Sequence, residues 1–244
     1  MTEIPLVRLL YPLALALLVA WWYISWSGDR RTPWAGLARM LAQLLLVGYV
    51  LAYIFQTEHV LVVLGTLALM SLAAGWIALR TETKKRIRLY PYALLGVVGG
   101  GGLALMVAVE LVLRPEPWWK PSVLIPLGGM AFSNAMNAVS LAAERFFSER
   151  REGKDPIQAR SAAYKAALIP ATNALFAVGI VSIPGLMTGQ ILAGVSPLIA
   201  ARYQILVMLM VYTAAGLAAA MFLEAARRLA VNGEWAASVE GESR

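Results

Sequence analysis

Residues 166–201 read AALIPATNALFAVGIVSIPGLMTGQILAGVSPLIAA, 36 residues without one Asp, Glu, Lys or Arg. About 20 apolar residues are enough for a helix to cross roughly 30 Å of hydrocarbon. As a single straight helix this stretch would be about 54 Å long at about 1.5 Å per residue, too long for one crossing. It also contains Pro170, Pro184-Gly185, Gly189, Gly194 and Pro197, residue types that interrupt or end helices. The stretch therefore predicts one span near 166–184, then a broken or short interfacial helix.

Six more runs lack charge, at 9–27, 40–57, 59–79, 89–109, 121–143 and 203–223, each 18 to 23 residues long. Each fits one crossing. The expected fold is an all-α integral membrane protein with about seven transmembrane helices in a single domain over 1–244. Composition agrees: the chain is 60% hydrophobic and 14% charged, with mean hydropathy +0.68. A soluble domain would carry about 25% charged residues, so a water-soluble enzyme is excluded. Cys is absent and His59 is the one histidine, which excludes disulfides, thiolate metal sites, zinc clusters and Cys nucleophiles. The first run is longer than the roughly 7–15 residue core of a signal peptide. With Trp21, Trp22 and Trp26 and no small-x-small site after it, it is expected to be a retained helix with an aromatic belt.

The net charge of +7 is a matter of position. When the loops alternate between two sides, 17 of the 21 Lys and Arg fall on one side, including Arg80, Lys84, Lys85, Arg86 and Arg88 after span three. The positive-inside rule then predicts an outer N-terminus and a cytoplasmic C-terminus, and the basic residues act as topology determinants rather than nucleic-acid contacts.

In span five, Ser133, Asn137, Ser140 and Glu144 fall at i, i+4, i+7 and i+11, with Asn134 beside them. Unpaired polar groups in hydrocarbon cost several kcal/mol each, so the stripe must meet protein or water. Two readings stay open: an interhelical hydrogen-bond seam, worth about 0.6 kcal/mol per bond, or the lining of a transport path. Glu110, with Arg114 at i+4, reads as an interfacial ion pair or as a cation-attracting mouth. Thr172 and Asn173 follow Pro170 and either line the same path or satisfy the carbonyl that Pro frees. Gly96, the glycines at 99–102 and Gly128-Gly129 suit close helix packing, or a flexible gate. His59, beside Glu58, reads as interfacial. The ten Met residues form no Met-x-x-Met cluster, which leaves a Cu(I) site unsupported.

The longest inner loop, 144–165, contains Gly153-Lys154-Asp155-Pro156-Ile157-Gln158-Ala159, which reads as a helix start. Asp155 is placed to cap and Pro156 suits the first helical position. The short helix expected near 154–165 offers small and aromatic residues that suit a groove on a partner protein.

These residues resemble a known family. Gly153-x-x-Pro156-x-Gln158-Ala159, Ala167-Leu168-Ile169-Pro170, the run from Val178-Gly179 through Pro184-Gly185-Leu186-Met187-Thr188-Gly189, Ser196-Pro197 and Arg202-Tyr203-Gln204 resemble the FetB-type ABC transporter permeases. These bacterial iron exporters share the family with plant aluminium-tolerance membrane subunits. Asn134-Ala135-Met136, Gln43-Leu44, Val47-Gly48-Tyr49 and Ile54-Phe55 fit as well. The resemblance implies a multi-pass permease of the cell inner membrane with no catalytic site and no cofactor of its own. Two copies would pair with two copies of a cytoplasmic ATPase subunit that uses ATP and Mg, and iron or another metal would be exported. Gly153, Asp155, Pro156, Gln158 and Ala159 would form the coupling helix. The chain departs from the family at Phe176, where relatives commonly carry Lys, and at Asn173, where an acidic residue can occur. Both arms of the coupling hairpin are shorter than usual.

Other classes fit less well. A membrane enzyme needs a nucleophile–base or metal constellation, and a retinal photoreceptor needs a Schiff-base Lys that span seven lacks. The alternative is a secondary transporter or channel working without an ATPase, for which internal repeats and buried ionisable relays are the usual signs.

Overall fold

The computed structural model describes residues 5–54, 59–82 and 86–231. Phe55, Glu58, Lys84 and Lys85 lie outside these residues. The chain divides into two compact units, Met1–Thr57 and Glu58–Arg244.

The first unit holds α1 (Leu10–Ser27) and α2 (Arg31–Ile54). Gly28 ends α1 in the left-handed conformation, with φ +72°, and donates its N–H to the Ile24 carbonyl. Asp29 then starts α2: one carboxylate oxygen accepts the N–H groups of Arg31 and Thr32 at 3.0 and 3.2 Å. Two residues thus close one helix and open the next.

The second unit contains α3 (Val60–Ala78), α4 (Arg86–Leu113), α5 (Pro121–Arg151), α6 (Pro156–Ala177), α7 (Gly185–Leu192) and α8 (Pro197–Val231). Helix α5 packs against α3, α6 and α8, and α8 also packs along α4 and α6. The core is built from small residues: Ala131, Ala135, Ala138 and Ala142 on α5 and Ala214, Ala215, Ala218 and Ala219 on α8 are buried. Small side chains let helix backbones approach, the usual route to helix association in lipid. Helix α4 makes the tightest approach. A Cβ on Gly96 would lie 2.8 Å from the Ala218 carbonyl oxygen, and one on Gly100 would strike the Ala218 backbone. On α5, a Cβ on Gly128 would press into Leu67. These glycines are packing residues. Two wide π turns, Val97–Gly101 and Val107–Leu113, interrupt the α pattern of α4 around the same region.

Among the described residues, four helical stretches are long and apolar enough to cross a membrane: Val7–Ser27, Val60–Ala78, Arg86–Leu113 and Pro197–Leu229. The protein is a nearly all-helical, multi-pass membrane protein. Several helix limits differ from those expected. Helix α5 continues eight residues past the charge-free run, to Arg151. The short helix expected near 154–165 and the span expected at 166–184 are instead one continuous helix that ends at Ala177. Charges mark where a helix leaves an apolar medium, whereas helix ends need Gly, Pro or a cap. Between Ala159 and Ile169 there is no Gly or Pro, so α6 runs on past Lys165. After Ala177, Gly179 (φ +83°) and Pro184 break the chain into a turn before α7, and Gly194 (φ +90°) with Pro197 separates α7 from α8. The broken segment expected from the proline and glycine pattern is therefore present.

Candidate functional site

The start of α6 has the local chemistry that its sequence implies. The Asp155 carboxylate accepts the N–H groups of Ile157 (2.9 Å) and Gln158 (3.4 Å), and Pro156 takes the first helical position. Gly153 precedes it in the left-handed conformation, at φ +82°. Asp155, Ile157 and Gln158 are exposed and Pro156 half-buried, whereas Ala159 is fully buried. The first four positions are open to a partner; Ala159 instead seats the helix on its own bundle.

Two ion-pair clusters hold this helix start in place. At the end of α5, the buried Glu149 carboxylate is met by Arg145 one turn before it and by Lys154 across the loop. Arg150 also reaches back to the Lys154 carbonyl. Hydrogen bonding from Lys154 holds the Glu149 carboxyl below the usual carboxylate range, and the same contact raises Lys154. In the second cluster, Arg160 of α6 donates to Glu224 of α8 at 2.9 Å, and Arg227 and Arg228 converge on the same carboxylate. Lys154 fixes the loop to α5, and Arg160 fixes the first turns of α6 to α8. The sequence reading did not pair Arg160 with Glu224. Its local half was visible, since Arg227 and Arg228 lie at i+3 and i+4 from Glu224, but the partner 64 residues away was not.

The polar stripe of α5 lies on a face that the other helices of the Glu58–Arg244 unit leave open. Ser133, Asn137 and Glu144 are exposed, Asn134 and Ser140 half-buried. Ser133 and Asn134 donate to the Met130 carbonyl at 3.2 and 2.9 Å, bonds within the helix itself. The opposite face carries the buried Ala131, Ala135, Ala138 and Ala142. Within that unit the stripe is not a buried seam. Asn173 on α6 is also exposed, and Phe176 is 79% exposed.

Glu110 is exposed near the end of α4, and among the described residues it forms no ion pair with Arg114. The i,i+4 expectation assumed a regular α-helix. Here the helix widens into a π turn, and Arg114 leaves it at φ +45° with its N–H on the Val109 carbonyl. Gln204 of α8, quoted above only as part of a motif, is buried, and its Oε1 has no hydrogen-bond partner among the described residues. Nor do the described residues gather three or more His, Cys, Asp or Glu in a group suited to a metal ion.

These features define a helical membrane protein with an anchored, exposed helix start and an open polar face on its central helix. The chain belongs to the family described as Uncharacterised protein family (UPF0014), which it matches over residues 6–230. It is 37% identical over 206 residues to a UPF0014 membrane protein of Synechocystis, covering 77% of this chain and 79% of that one. It is 34% identical to the "Probable iron export permease protein FetB" of Escherichia coli, covering 73% of each chain. To "Protein ALUMINUM SENSITIVE 3" of Arabidopsis thaliana it is 30% identical, over 73% of this chain and 69% of that one. No solved structure matches.

Proposed function

We propose that this chain is the membrane permease subunit of an ATP-binding-cassette exporter. It moves iron or another metal ion out of the cytoplasm on ATP hydrolysed by a separate subunit. In this reading seven helices cross the inner membrane, with the N-terminus outside and the C-terminus inside. Two copies pair with two ATPase subunits that hold ATP and Mg, and the permease has no catalytic site or cofactor of its own. A relative named as an iron export permease supports the choice of cargo.

The observation that carries the reading is the exposed Asp155-capped start of α6, tied by Lys154 to Glu149 and by Arg160 to Glu224. ATP can drive alternating access only if the partner's ATP-bound state prefers one permease conformation. A helix start joined by ion pairs to α5 and α8 passes a push from the partner into the packed bundle. The cargo would then move along the open α5 face, where Ser133, Asn134, Asn137 and Ser140 supply oxygen ligands, with Asn173 on α6 as a further candidate and Glu144 as a solvated helix end. Hard cations take such oxygens. Glu110 would attract cations at the outer end.

The experiment is to replace Pro156 and Gln158 together with Asp and purify the permease with its cognate ATPase. Loss of co-purification with normal membrane insertion is expected. Retained co-purification removes the coupling assignment, and solute transport by purified permease in liposomes without ATP makes the protein a secondary transporter or channel.

A further inference from the structure

Between the first turns of α6 and the last turns of α8 lies a cleft of about 450 Å³, lined by Arg160, Ser161, Tyr164, Lys165, Leu223 and Glu224 among others. That volume is in the range of small-molecule sites. Arg160 and Glu224 are committed to each other, and with Arg227 and Arg228 on the same carboxylate the acid is more than neutralised. The remaining polar groups differ. Among the described residues, Lys165 makes no ion pair, and neither the Ser161 hydroxyl nor the Tyr164 phenol makes a hydrogen bond. Lys165, Ser161 and Tyr164 thus line one cleft with their donors unused, the Tyr164 hydroxyl lying against Gly216 of α8, beside a cluster in which three arginines surround one carboxylate. That donor set and that surplus of positive charge suit a phosphate group.

The position says which kind of phosphate. Lys165 is the last charge before the 36-residue apolar run, and Glu224 the first after the apolar run at 203–223. The cleft therefore sits where α6 and α8 pass from apolar to charged sequence, the level of the lipid headgroups. Its wall includes Ala220, an exposed apolar position of α8 one turn before Glu224, along which an acyl chain can lie, while Leu223 closes the floor as a buried residue. Basic pockets between membrane helices at this level are suited to anionic headgroups.

We propose that the α6–α8 cleft is a binding site for an anionic phospholipid. Its phosphate is held by Lys165, Ser161 and Tyr164, and its chain runs along α8 past Ala220. This site does not depend on the transport reading. A lipid bridging α6 and α8 braces the joint made by Arg160 and Glu224.

The test uses the full chain in nanodiscs of phosphatidylcholine alone or with phosphatidylglycerol, scored by thermal unfolding and by the phosphatidylglycerol retained in native mass spectrometry. Phosphatidylglycerol is expected to raise the midpoint and to be retained, and Lys165→Glu to weaken retention on the order of tenfold. Lys165→Gln, with Ser161→Ala and Tyr164→Phe, is the milder variant should the charge reversal impair folding; it is expected to lower retention and leave the midpoint in pure phosphatidylcholine unchanged. Equal retention by wild type and both variants overturns the site. Equal stabilisation by inorganic phosphate or glycerol 3-phosphate overturns the lipid assignment in favour of a soluble phosphate.

Discussion

Helices α1 and α2 are as apolar as those of the Glu58–Arg244 unit, yet within their own unit they bury almost nothing. Ala20 and Ile54 are the buried positions among their described side chains, and Trp26 and Tyr49 are 83% and 82% exposed. In the larger unit, Phe146, Phe147, Phe222 and Leu79 are fully enclosed. Apolar sequence brings a helix into lipid but does not make it pack, because lipid tails are as apolar as leucine. Packing comes from small residues that meet a complementary surface. Gly36 and Gly48 of α2 have nothing within 4 Å of an added Cβ, whereas Gly96 and Gly100 of α4 lie against the α8 backbone.

The sharpest break of that contrast is a pair of substitutions. Gly100→Leu is expected to cost about 3 kcal/mol or more through overpacking, seen as lost monodisperse protein in fluorescence-detected size exclusion. Gly36→Leu should change stability by less than about 0.5 kcal/mol. Equal damage from both would mean that α2 packs as closely as α4.

Exposure itself has two meanings in this molecule. The outward residues of α2 are mostly apolar, Leu41, Leu44, Leu45 and Leu46 among them with Gln43, and suit hydrocarbon; those of α5 include Ser133, Asn137 and Glu144, which do not. Asn137→Leu gives α5 a surface like that of α2. Transport should fall on the order of tenfold, the loss of one polar contact of about 1.4 kcal/mol, with expression unchanged. The mirror change, Leu45→Asn, should lower membrane insertion instead. Parallel loss of transport and expression in Asn137→Leu would mark the stripe as packing surface.

The smallest expected effect is on pH dependence. The Glu149 carboxyl is held below its ordinary value of 4.5, chiefly by the hydrogen bond from Lys154. Its contribution is thus complete above about pH 4.5 and disappears as pH falls through the lowered folded value. Thermal midpoints of the wild type should fall on acidification below about pH 4.5, and Glu149→Gln should flatten that slope while lowering the neutral midpoint. An unchanged slope would separate the lock from acid sensitivity.

Local chemistry was the legible part of the site. Asp155 as cap and Pro156 at the first helical position could be read because a cap acts within three residues. The four polar residues of α5 could be placed on one face because the helix period is fixed at 3.6. Whether that face was buried or open could not, since it depends on where α3, α6 and α8 lie. Of the two readings of Glu110, the ion pair assumes i,i+4 spacing on a regular α-helix, and the π turn at Val107–Leu113 changes that spacing. The border at Lys165 was taken as a helix end because charge was read as punctuation, when only Gly, Pro or a cap could end α6 there.

From the amino-acid order alone came the membrane medium, the nearly all-helical fold, the breaks at Pro184, Gly194 and Pro197, and the capped start at Asp155. All of these depend on composition or on neighbours within about one turn. Pro170 and Gly189, also read as breakers, lie inside helices. Tertiary structure alone decided that Gly100 touches Ala218, that Arg160 holds Glu224 across 64 residues, and that Ser133 and Asn137 look outward. These follow from how the helices cross, and crossing geometry is set by the sum of many weak side-chain fits that no short window of sequence contains.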